Sequence, residues 1–188
     1  MTSLDQFIEP IKVAGKPVDG DHTAYKMDDT TENRDMRIAA GLGTCHCCDY
    51  FLPRDDSIVL IEETCLLGSV RDIREEYKYL KKEHLDVHVD KLIRNEMQLK
   101  AYGAMLVVCR LAKICAAAKN ILRDKKKYEF WLVASITDSS EEKRLFDNLK
   151  DSLRNMLRDV LGKELLDNVE VIPSGSLGAQ LSGSAHTR

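Results

Sequence analysis

Residues 44–64 read TCHCCDYFLPRDDSIVLIEET, and this stretch decides how the rest of the chain is built. Along an extended backbone from Thr44, Cys47, Asp49 and Phe51 project to one face and Cys48, Tyr50 and Leu52 to the other. Pro53-Arg54-Asp55-Asp56 has the composition of a turn. Residues 57–63 are β-branched and apolar almost to the end, as in an interior strand covered on both faces. A hairpin is therefore expected. Each of its strands carries acid into an apolar run, Asp49 in the first and Glu62 and Glu63 at the close of the second. A carboxylate in such a place is costly unless it is paired or holds a cation. The hairpin is where chemistry is expected.

Outward from it, helical spacing dominates on the C-terminal side. Val70, Ile73, Tyr77 and Leu80 keep a helical period over 70–83, and Leu92, Ile93, Met97, Leu99, Ala101, Met105, Val108, Leu111 and Ala112 keep one over 90–122. Residues 129–136 (EFWLVASI) read as a buried strand, 140–161 as a helix capped from Ser139 or Ser140 and stopped at Gly162, and 169–172 as a last strand. On the N-terminal side, 3–9 is expected to be a short helix ending before Pro10. Residues 11–35 are expected to be irregular, with one short strand near 11–14. The reading is one α/β domain over 1–173, a mixed central sheet flanked by long helices, with a flexible Gly/Ser-rich tail over 174–188.

The chain has 188 residues, 44% hydrophobic and 31% charged, with a formal net charge of -3. That composition suits a globular protein with a real core. The net charge by itself draws it toward neither nucleic acid nor an acidic membrane. No apolar run approaches the roughly 18 residues of a membrane span, and the N-terminus lacks the pattern of a secretion signal. A cytoplasmic protein without a membrane partner is expected, and its six cysteines are expected to be free thiols.

Asp49, a turn, and then Ile61-Glu62-Glu63-Thr64 resemble the PD-(D/E)XK nuclease superfamily, whose members place one acid on a strand and acid-X-lysine on the next. The resemblance spans roughly residues 40–137 and implies a restriction-endonuclease-like core. It further implies Asp49 and Glu62 as metal ligands with help from Glu63, Mg²⁺ or Mn²⁺ as cofactor, and phosphodiester hydrolysis in DNA or RNA. Here Cys48 stands where the family has proline, and Thr64 where it has lysine. Divergent members, some viral cap-snatching endonucleases among them, take the lysine from the following helix. Lys78, Lys81, Lys82 and Lys100 are the candidates by position, with Lys78 and Lys100 assigned catalytic roles beside Asp49 and Glu62. The alternative is an inactive nuclease-fold subunit that binds protein or nucleic acid, with the long helices holding a partner or a second copy.

Two other patterns stand out in the chain. Cys45-His46-Cys47-Cys48 contains one C-x-x-C with no second pair, and buried apolar thiols are favoured over a zinc or redox site. His46 reads as a surface or strand-end histidine, with a place in a metal shell as the alternative. The basic run Arg123-Asp124-Lys125-Lys126-Lys127 reads as a helix C-terminus, where cations offset the macrodipole.

Overall fold

The expected hairpin forms, and a sheet grows from it on both sides. The structure, a computed structural model, describes residues 3–28, 35–123, 127–136, 140–161 and 166–183. A 3-10 turn at Leu4–Phe7 leads into β1 (Ile8–Pro10), after which β2 (Lys12–Val13) and β3 (Lys16–Pro17) pair as a separate small hairpin. Then come β4 (Thr23–Lys26), α1 (Met36–Ala39), β5 (Tyr50–Pro53) and β6 (Ser57–Thr64). The helices α2 (Leu66–Glu76), α3 (Lys82–Ile114) and α4 (Ala116–Arg123) are followed by β7 (Lys127–Ala134), α5 (Ser140–Leu161), β8 (Asn168–Pro173) and α6 (Leu177–Gly183).

Six strands make one mixed sheet in the order β1-β4-β5-β6-β7-β8. The pairs from β1 to β6 are antiparallel, and β6-β7 and β7-β8 are parallel. Strand β6 lies inside, and its residues 57–62 are all buried. Its alternation divides the core. Ile58 and Leu60 join Phe51, Phe130, Leu132 and the buried stripe of α3 on one face, while Val59 and Ile61 join Tyr50, Trp131, Val133 and Ile172 on the other. Coverage of both faces is why the strand can be apolar throughout. The fold is α/β, with a six-stranded mixed sheet and long helices.

Helix α3 buries Val89, Ile93, Met97, Ala101, Ala104, Val108 and Leu111 along one stripe. The periodicity predicts an unbroken helix over 90–122, but the chain is extended at Cys115 and turns by 120° into α4. The reason is length. Thirty-three residues of α3 span about 50 Å, against about 26 Å for an eight-residue strand such as β6. A straight continuation would run off the sheet, whereas the bend buries Ala118 and packs Ile121 and Leu122 on the core. Among the described residues, no single helix is long and apolar enough to cross a membrane.

Several expectations need correction. The first hairpin strand starts at Tyr50, not Thr44. Cys45 N–H bonds back to the Leu42 carbonyl, so the approach is turned, and Cys47 and Cys48 enter the same core cluster instead of opposite faces. The N-terminal stretch expected to be irregular holds β3 and β4 as well as the short strand near 11–14, and only residues 4–7 of the expected first helix are helical. Residues 174–183, expected within a flexible tail, form a 3-10 turn and α6, because Leu177 and Leu181 stand one helical turn apart and bury into the second sheet face. Ser139, Gly162 and residues 124–126 of the basic run lie outside the described residues.

Helix and loop pack tightly at Gly103, where an added Cβ would stand 1.6 Å from the His46 carbonyl oxygen. Gly103→Ala should therefore destabilise the fold by about 3 kcal/mol, opposite in sign to the usual gain from glycine to alanine within a helix. Urea denaturation of the variant tests this, and an unchanged or raised midpoint would contradict the packing.

Candidate functional site

The site is built where β5 begins and β6 ends. Tyr50 pairs with Ile61, so one step further along the same register Asp49 stands opposite Glu62. Asp49 is fixed from two directions. Its carbonyl accepts the Met27 N–H at 2.9 Å, and its Oδ2 accepts the Glu63 N–H at 2.8 Å. Glu62 follows Ile58 and Leu60 on the face covered by α3, and is 1% exposed.

From α3, the Lys100 ammonium reaches Glu62 Oε1 and forms both hydrogen bond and ion pair. Glu96, one turn earlier, lies 3.6 Å from the same ammonium on the more exposed side. Burial pushes the Glu62 carboxyl up to about 8. The charge on Asp49 adds to that rise and Lys100 opposes it. Burial works against the charge on Lys100, but Glu62, Glu96 and Asp49 outweigh it and hold the ammonium above the usual lysine range. The lysine therefore stays charged through neutral pH, and Glu62 is the member that titrates there.

Alternation turns the Glu63 side chain to the other face, where its carboxylate accepts a hydrogen bond from the Ser135 hydroxyl. Only its backbone remains beside the carboxylate pair. Among the four candidate lysines, Lys100 is the one bonded to Glu62. Lys78 lies beyond the end of α2, exposed and paired with Glu75 at 2.5 Å, while Lys81 and Lys82 are exposed at the start of α3. Lys78 is not brought into the site.

Sequence reasoning missed Lys26. From β4 its Nζ lies 3.5 Å from Asp49 Oδ1 and 4.4 Å from the centre of the Tyr50 ring. No local signal marked it, because TAYK is too short and polar to read as a strand. Arg37 was missed as well. It pairs with Asp28 at 2.8 Å and Asp35 at 3.3 Å, and donates to the Cys45 carbonyl, tying α1 to the loop that leads into Asp49.

The cysteines are free thiols. Burial raises the Cys47 thiol to about 12 and raises that of Cys48 as well, so neither supplies the thiolate that redox chemistry needs. His46 is exposed, and its carbonyl rather than its ring packs toward α3. Among the described residues, no group of three or more His, Cys, Asp or Glu side chains stands ready to cage a metal. A recess of about 1070 Å³ opens elsewhere, beside Ser57 and Lys127 at the opposite ends of β6 and β7, where Arg54 stacks on Trp131. The carboxylate pair instead occupies the C-terminal end of β6, the end at which parallel strands commonly place ligands.

Comparison with protein-family models, curated proteins and solved structures finds no match for this chain.

The buried carboxyl gives a pH test. Unfolded, Glu62 loses its proton near 4.5; folded, it keeps it to about 8. Between those values the native state binds the extra proton, so this group's contribution to stability falls as pH rises, by at most about 1.4 kcal/mol per unit, and levels off above 8. Urea titrations from pH 5 to 9 should show a decline in the wild type that is lost in Glu62→Gln. Parallel profiles for the two proteins would contradict the assignment.

Proposed function

We propose that this chain is a metal-dependent nuclease with a restriction-endonuclease-like core, hydrolysing phosphodiester bonds in DNA or RNA. The observation that carries the reading is the pair formed by Asp49, just before β5, and Glu62, near the end of β6, one step beyond the Tyr50–Ile61 register, with a lysine from the following helix on Glu62. The order of elements supports it: an antiparallel meander β4-β5-β6, then helices, then β7 parallel to β6. Lys100 fills the role left open by Thr64, as in the divergent nucleases that draw this lysine from a helix.

Two carboxylates, with no fuller cage among the described residues, suit Mg²⁺ or Mn²⁺, which take one or two protein carboxylates and keep several waters, better than zinc or calcium. Asp49, Glu62 and the backbone carbonyl of Glu63 would hold the ion. When bound, it supplies a water of lowered pKa and a clamp for phosphoryl oxygens. Lys100, charged throughout, offsets the negative charge that grows on the reacting phosphate. Although the chain is acidic overall, residues 91–123 carry seven basic side chains against a single acid, Glu96, which favours a polyanionic substrate.

Mn²⁺-stimulated cleavage of labelled oligonucleotides should fall at least about a hundredfold in Asp49→Ala, Glu62→Ala and Lys100→Met, and Lys78→Met should leave it unchanged. Wild-type cleavage in both carboxylate variants would sink the reading.

A second reading, a binding subunit, is favoured by the outer face of α3. Leu99, Tyr102 and Leu106 are 56%, 44% and 53% exposed there, in line with exposed Cys109. The occupant that fits is a second copy. Antiparallel pairing about position 104 sets Leu99 on Cys109 and Tyr102 on Leu106, with Lys113 opposite Asn95 and Arg110 opposite Gln98, so no like charges meet. Light scattering should then give a dimeric mass for the wild type and a monomeric one for Leu106→Glu. A monomeric wild type would remove this reading.

A further inference from the structure

Two ammonium groups, not one, meet the carboxylate pair, Lys100 on Glu62 and Lys26 on Asp49. Lys100 reaches Glu62 from α3. Lys26 approaches from the far side, on the strand that flanks β5 away from β6. Its side chain is only 16% exposed and lies over the Tyr50 ring. That ring is itself pinned, since the Tyr50 hydroxyl accepts the Lys12 N–H at 3.1 Å. A buried ring in fixed position gives the ammonium a surface to lie on and to turn over.

Each carboxylate thus has its own lysine. A divalent cation between Asp49 and Glu62 would add two positive charges within a few ångströms of the Lys26 ammonium and take over its partner oxygen. Repulsion then favours release of Lys26 from Asp49. Its flexible four-carbon stem lets the ammonium move to a nearby anion. In a site that handles phosphodiesters, that anion is the phosphate.

We propose that Lys26 is the phosphate anchor of this site: it neutralises Asp49 in the resting protein and shifts to a non-bridging phosphate oxygen when a divalent cation takes Asp49. The assignment rests on the nuclease reading and adds a second substrate-binding cation to it. It also makes the lysine a competitor of the metal, which a merely structural lysine would not be.

The test uses two readouts with opposite expected signs. Titration calorimetry with Mn²⁺ alone, without substrate, should show tighter binding in Lys26→Met by about threefold or more, since a competing charge has gone. With a labelled oligonucleotide, KM should rise about tenfold or more for loss of a charged phosphate contact, with kcat little changed, and Lys26→Arg should restore KM. Lys26→Gln serves as a second neutral variant, and circular dichroism melts check that both fold. Weaker or unchanged Mn²⁺ binding, or an unchanged KM, in folded neutral variants overturns the proposal while the nuclease reading stands. Absence of Mn²⁺ binding in the wild type, equal to that of Asp49→Ala, overturns both.

Discussion

Glu62 is a carboxylate 1% exposed at the end of an interior strand, and the ion pair it makes with Lys100 is the constraint to which the surrounding structure answers. Burying such a group alone would be prohibitive. With Lys100 on it and Asp49 opposite, the group is held at the edge of ionisation, and burial is the largest cause of its rise to about 8. A buried ion pair of this kind is weak evidence of stability. An apolar pair would serve a core better, and that is one ground for the proposed nuclease site.

Satisfying that pair sets the position of α3. Lys100 must face the sheet, and the next turn brings Gly103 against the His46 carbonyl, where no side chain fits. The loop leading into Asp49 is thereby pressed between α3 and the Arg37 group beside α1. Helix, loop and hairpin are placed by the same few contacts. With α3 in that position its length exceeds the sheet, and the chain breaks at Cys115 to return α4 to the core. The outer face of α3 is left with Leu99, Tyr102 and Leu106 in solvent.

Much of this was legible in the residues. The apolar run at 57–63 announced an interior strand, and the strand is buried on both faces. The strands expected at 129–136 and 169–172 form at 127–134 and 168–173, and the helix expected at 140–161 forms there. The short strands were not. Thr23–Lys26 is polar and four residues long, and it is a strand only because β5 and β1 offer it partners. The tail was misread for a related reason: glycine and serine argue for mobility, but two leucines one turn apart suffice when an apolar sheet face lies beneath them.

By itself the sequence determined that two acids ride on a hairpin, that the strand carrying Glu62 runs through the interior, and that long amphipathic helices follow. These are matters of spacing along a few residues, where alternation and helical period leave little choice. Which lysines meet the acids was decided by tertiary structure alone. Lys100 is 38 residues from Glu62, and its reach depends on where Gly103 lets α3 sit. Lys26 lies on a strand that exists only through pairing, with its ammonium held over a ring pinned from β2. Charge attracts over a distance that sequence separation does not measure, so the acids were visible in the chain, Lys100 only as one of four candidate lysines, and Lys26 not at all.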